Sequence, residues 1–112
     1  MSPYAFRVEM KWSADERKIA RRAFDLAYRR QCAAVAEKAR GMLARVSDPD
    51  GLWKVHDYLS RERKRVDETY DYRYSVLISI LARLLDLRWL SGTDLAGLAH
   101  DKTGEIERWR KR

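Results

Sequence analysis

Ser47-Asp48-Pro49-Asp50-Gly51 is the clearest break in this sequence, and its reading decides the fold. A helix arriving from upstream cannot continue through Pro49, whose ring removes a donor and clashes with the preceding turn. The same proline suits the first position of a new helix, and Asp48 is placed to cap it. The stretch is therefore a short loop between two helices. Upstream, Ser13-Ala14-Asp15-Glu16 has the Ser-x-x-Glu form of a capping box, with Ser13 as N-cap. From there Phe24, Tyr28, Gln31, Val35, Ala39, Met42 and Val46 recur at helical spacing. One helix over about 14–46 would be roughly 50 Å long. That exceeds what a compact domain of this size needs, so the spacing predicts an elongated, coiled-coil-like molecule. Downstream, Leu52, Val55, Leu59, Val66 and Tyr70 form a heptad-like seam. A loop this short lays the second helix antiparallel on the first.

Further along, a third helical segment begins within Tyr70–Tyr74 and runs to about Asp86, and Ser75–Leu85 is apolar nearly all round, which predicts burial. Ser91-Gly92-Thr93 is a second cap signal, predicting a last helix over about 93–110 that carries Leu95, Leu98, Ala99, Ile106 and Trp109. Residues 1–12 read as irregular. The expected fold is all-α: one helical domain over 1–112, with a long antiparallel hairpin stem (about 13–70) and a small helical head (about 71–110).

Composition agrees with this. The chain has 112 residues, 46% hydrophobic and 37% charged, with 5 Gly and 2 Pro. A disordered chain would be less apolar, and a β-sandwich would need more turn residues. A single cysteine, Cys32, excludes an intrachain disulfide and a Cys-rich zinc site; among Ala33, Ala34 and Ala36 it reads as a small buried hydrophobe. The longest apolar run, Val76–Ala82, is far too short to span a bilayer. Met1-Ser2-Pro3-Tyr4 has no signal-peptide pattern, so a cytoplasmic protein is expected. With 24 Lys and Arg against 17 Asp and Glu, the net charge of +7 admits nucleic acid, an anionic membrane surface or an acidic protein as partner.

The second helix carries a face that its seam does not explain. Trp53 lies about 100° beyond Leu52 on a helical wheel, and the same flank collects His56, Asp57, Ser60, Arg63, Lys64 and Asp67. A large aromatic beside Arg on a polar flank fits an interface anchor. Alternatively Trp53 packs into a second subunit or against the third helix. His56 and Asp57 are adjacent, and adjacent helix residues do not face each other, so they make a poor catalytic dyad. His56 and His100 are the only histidines and offer no ligand pair at helical spacing, so no metal and no cofactor are expected. Arg17, Lys18, Arg21 and Arg22, and again Arg61, Arg63, Lys64 and Arg65, form basic runs that could grip phosphates. Interleaved Asp15, Glu16, Asp25, Glu62 and Asp67 favour a solvated face instead.

The run Leu52-Trp53-Lys54-Val55-His56-Asp57-Tyr58-Leu59-Ser60, followed by Arg63, Asp67, Tyr70-Asp71, Arg73 and Ser75-Val76, resembles the fluorescence recovery protein family of cyanobacteria. The likeness extends ungapped from about Ser13 to Glu105, with a weaker match at Ala99-His100-Asp101-Lys102. It implies an elongated all-helical homodimer that is not an enzyme. It further implies binding to the C-terminal domain of the photoactivated orange carotenoid protein, faster return of that protein to its inactive orange form, and so restored phycobilisome fluorescence. The family's functional patch maps onto Trp53, His56, Asp57 and Arg63. Leu52 maps to the subunit interface, where its seam neighbours Val55 and Leu59 would join it. This chain departs from family members with an aromatic where it has Ser79 and a Lys where it has Glu105. A thylakoid-surface location would follow for a cyanobacterial host. Two other readings stand beside this one: a homologous dimer from another kind of host with a different protein partner, and a basic helical nucleic-acid-binding protein.

Overall fold

A computed structural model describes residues 10–111; the expectations for residues 1–9 lie outside them. The element order is α1 (Ala14–Ala44), α2 (Pro49–Thr69), α3 (Tyr74–Asp86), a 3-10 turn (Gly92–Leu95) and α4 (His100–Arg110). The described part measures 54 × 32 × 23 Å with a radius of gyration of 17.3 Å, well above the ~13 Å of a compact chain of about 100 residues.

The two long helices begin where their caps predict. Ser13 Oγ accepts from the Glu16 N–H at 3.1 Å, and Glu16 Oε1 accepts from the Ser13 N–H at 3.1 Å. Asp48 Oδ1 accepts from the Gly51 N–H at 2.7 Å, with Pro49 in the first turn. α1 ends at Ala44, slightly short of the expected 46, with Arg45 as its C-cap. The hairpin contact differs from the predicted seam. Val55, Tyr58, Val66 and Thr69 are the buried positions of α2, at intervals of 3, 8 and 3 that keep them on one narrow arc. Leu52 and Leu59 sit to one side of it, 43% and 41% exposed. The predicted seam joined two adjacent stripes, of which only one meets α1.

A head made of α3, the 3-10 turn and α4 packs on the N-terminal half of α1. Its core joins Trp12, Ala20, Ala23, Phe24 and Ala27 to Leu77, Leu81, Leu84, Leu90, Leu95 and Ile106. The small alanines of α1 let the head approach its backbone closely. Where stem meets head, Phe24 holds the rings of Tyr70 and Tyr72 edge-on at 5.2 and 4.9 Å, and the Tyr70 hydroxyl donates to Gln31 Oε1 at 2.8 Å. The far end of the hairpin has its own smaller cluster, Ala39, Val55 and Tyr58, flanked by Val35, Met42 and Val46.

α3 ends at Asp86 as expected. The last helix does not begin at 93. Ser91 caps only a 3-10 turn, and Gly97 adopts φ +101°, a left-handed conformation that interrupts helical continuation before α4 starts at His100. Leu95 reaches the core from this turn and Leu98 from the link that follows it, rather than from a helix face. Cys32 is half-buried rather than buried.

Candidate partner-binding face

Trp53, His56, Asp57 and Arg63 all stand exposed on α2. Relative to the buried arc centred near Val55 and Val66, Arg63 and His56 lie roughly 80–100° around the helix and Trp53 and Asp57 roughly 160° either way. Trp53 therefore projects almost directly away from α1 and is 60% exposed. Of the two alternatives for Trp53, packing against the third helix is excluded by this exposure. The helix backbone is what holds the group together. The Trp53 and His56 rings meet edge to face, with centroids 6.3 Å apart at 81°. Arg63 Nε lies 3.5 Å from Asp67 Oδ2, one turn on. His56 Nδ1 and Asp57 Oδ1 are 3.3 Å apart, so the adjacent pair does touch, contrary to the helical-wheel expectation. Both side chains are mostly exposed, which suits recognition more than proton transfer.

Leu52 and Leu59 border this polar group on the side nearer α1. Val55, expected at the same interface, lies beneath them, 4% exposed inside the hairpin. Beside Leu59 runs a groove of about 500 Å³ between α1 and α2, shared with Tyr28, Cys32 and Arg63. The helical register groups Tyr28 with Gln31, which is buried, and so does not mark it as a surface residue. Tyr28 is exposed, with its ring edge-on to Tyr70 at 5.3 Å. Among the described residues no group of three or more His, Cys, Asp or Glu is placed to hold a metal. No described helix is long and apolar enough to cross a membrane.

The fold defines an all-helical hairpin-and-head protein with an exposed polar face on α2, and comparison with known proteins makes the class specific. The family model described as "Photoprotection regulator fluorescence recovery protein" matches residues 12–109. The fluorescence recovery protein of Synechocystis sp. (strain PCC 6803) is 34% identical over 99 residues, covering 88% of this chain and 91% of that protein. The solved structure of the Fremyella diplosiphon fluorescence recovery protein superposes with a TM-score of 0.84 at 34% identity, covering 91% of this chain and 100% of that one. The Synechocystis structure gives 0.84 at 32% identity with the same coverages. The chain belongs to the fluorescence recovery protein family, a family of photoprotection regulators.

Proposed function

We propose that this protein binds the photoactivated orange carotenoid protein through its C-terminal domain and speeds its return to the inactive orange form, restoring phycobilisome fluorescence. The carrying observation is the outward projection of Trp53 beside His56, Asp57 and Arg63, on the segment with the most specific family resemblance. Trp53 is the apolar anchor, and Asp57 and Arg63 orient the partner by charge. No bond is made or broken by this protein. It acts by binding the transition state between the partner's two conformations more tightly than the active state. Weak binding of the resting form then releases it. Leu52 and Leu59, with Val55 beneath, form the contact between two copies in a homodimer. The dimer presents two such faces in the cytoplasm, at the thylakoid surface where phycobilisomes lie.

The test is the dark recovery rate of photoactivated orange carotenoid protein with and without this chain at near-equal concentration. Strong acceleration is expected. An unchanged rate, with no co-elution of the two proteins, overturns the proposal.

A further inference from the structure

The basic run at the start of α1, whose interleaved acids suggest a solvated face, forms one wall of a groove. The opposite wall is the link into α3. The Arg21 guanidinium lies 4.6 Å over the Tyr72 ring and that of Arg17 lies 5.8 Å over the Tyr74 ring. The two rings meet each other at 5.7 Å, and the Tyr72 hydroxyl donates to the Arg17 carbonyl at 3.5 Å. These contacts limit the freedom of two long side chains that would otherwise lose it on binding. Lys18, Arg22 and Arg29 line the same groove, whose volume is about 670 Å³. Its single carboxylate, Asp25, is paired with Arg21 at 3.5 Å. Five cations against one carboxylate make this a concentrated positive site away from the Trp53 face.

We propose that this groove binds an acidic segment of polypeptide, with Arg17, Arg21 and Arg22 pairing to its carboxylates and Leu26 contacting its apolar side chains. From Arg17 to Arg29 the helix advances roughly 18 Å, the span of about five or six extended residues. The guanidinium fork matches a carboxylate in two parallel hydrogen bonds. Nucleic acid fits less well. The tyrosine rings are engaged by Arg17, Arg21, Phe24 and Trp12 and so are not free stacking platforms. Asp25 also interrupts the cationic row that a phosphate backbone would follow.

The probe is a fluorescein-labelled peptide, Glu-Phe-Glu-Glu-Phe-Glu, titrated with the full chain and followed by fluorescence polarisation. A Gln-for-Glu version and a labelled oligothymidylate are measured beside it. Saturable binding of the acidic peptide is expected, with an affinity loss of about tenfold or more in the double variant R21A/R22A. The double variant R61A/K64A removes the same charge from exposed positions on α2 and should leave the affinity within about twofold, since exposed charges distant from a site are largely screened. The W53A variant should also bind normally. The inference is overturned by any of four results: no saturable binding, equal losses in the two double variants, loss in W53A, or tighter Arg21- and Arg22-dependent binding of the oligothymidylate.

Discussion

Lys102 Nζ lies 3.1 Å from Glu16 Oε1, and this contact between the first turns of α4 and α1 is buried, with Lys102 only 3% exposed. The ammonium also donates to the Lys11 carbonyl and, at 3.0 Å, to Asp101. Glu16 Oε2 accepts from the Ala99 N–H at 3.0 Å. One carboxylate thus caps its own helix and fastens the start of another. Burial opposes the Lys102 charge, but its hydrogen bonds to Asp101 and then Glu16 outweigh that and raise its pKa. Glu16→Gln removes the buried one of the ammonium's two carboxylates, leaving Asp101, and should cost roughly 2 kcal/mol, the scale of a lost hydrogen bond to a charged group. Adding Lys102→Met should recover a substantial part of it. Urea unfolding of the two variants checks both statements; equal stability of Glu16→Gln and the unmodified chain would contradict them.

The same carboxylate sets an acid limit. Glu16 is held at about 2, against an ordinary 4.5, chiefly by the Ser13 N–H and then the Ala99 N–H. Asp94 is held at about 2, against 3.8, first by the Arg30 guanidinium and then by the Ser91 N–H. Both are lowered on folding, so the stability they contribute is complete above about pH 5 and is lost as pH falls through 4 towards 2. Unfolding free energies from pH 8 to 2 should be flat at first and then decline. Glu16→Gln and Asp94→Asn should each shallow the decline, and a profile unaffected by either change would be evidence against these assignments.

Trp53→Ala, Asp57→Leu and Arg63→Leu touch side chains that the fold does not use. Each should slow assisted recovery of the orange carotenoid protein, Trp53→Ala by about tenfold or more as expected of an aromatic anchor. Helicity by circular dichroism should stay unchanged. Unimpaired recovery with all three would remove the face from consideration.

Leu52→Glu places a charge where the single chain already exposes the side chain, 43% in the isolated fold. The monomer therefore tolerates it, whereas a partner copy covering Leu52 would bury an unpaired carboxylate. Light scattering coupled to size exclusion should return the monomer mass. A dimer mass would show that the contact between copies lies elsewhere.

Gly97→Ala faces two penalties. The residue has φ +101°, and an added Cβ would stand 2.6 Å from Ile19 Cδ1. The flexible end of Ile19 can shift, so the backbone term dominates and a loss of about 1–3 kcal/mol is expected. A thermal midpoint equal to that of the unmodified chain would contradict this.

What was legible in the sequence was what neighbours in sequence decide. Ser13 with Glu16, and Asp48 with Pro49, placed both long helices because a cap and its target lie within one turn. The second role of Glu16 was hidden because its partners Ala99 and Lys102 are more than eighty positions away. Periodicity singled out the Trp53 flank correctly as a face apart from the hairpin contact. It could not say which neighbouring stripe meets α1, since Leu59 and Tyr58 differ by only about 100° on the wheel. The Arg17–Tyr74 and Arg21–Tyr72 contacts lay beyond it for the same reason: they depend on how the link turns into α3.

The small cluster at the far end of the hairpin has a thermodynamic consequence. Ala39, Val55 and Tyr58 are the buried apolar residues there, whereas the head end shares a core several times larger. Two helices joined by so little cannot hold their backbone hydrogen bonds as long as the rest does. Amide protons near Val46 and Trp53 should exchange with solvent well before those near Phe24 and Leu81. If two copies meet through Leu52 and Leu59 as proposed, raising the protein concentration should slow the fast set selectively, and self-association would then be what makes this end of the hairpin rigid.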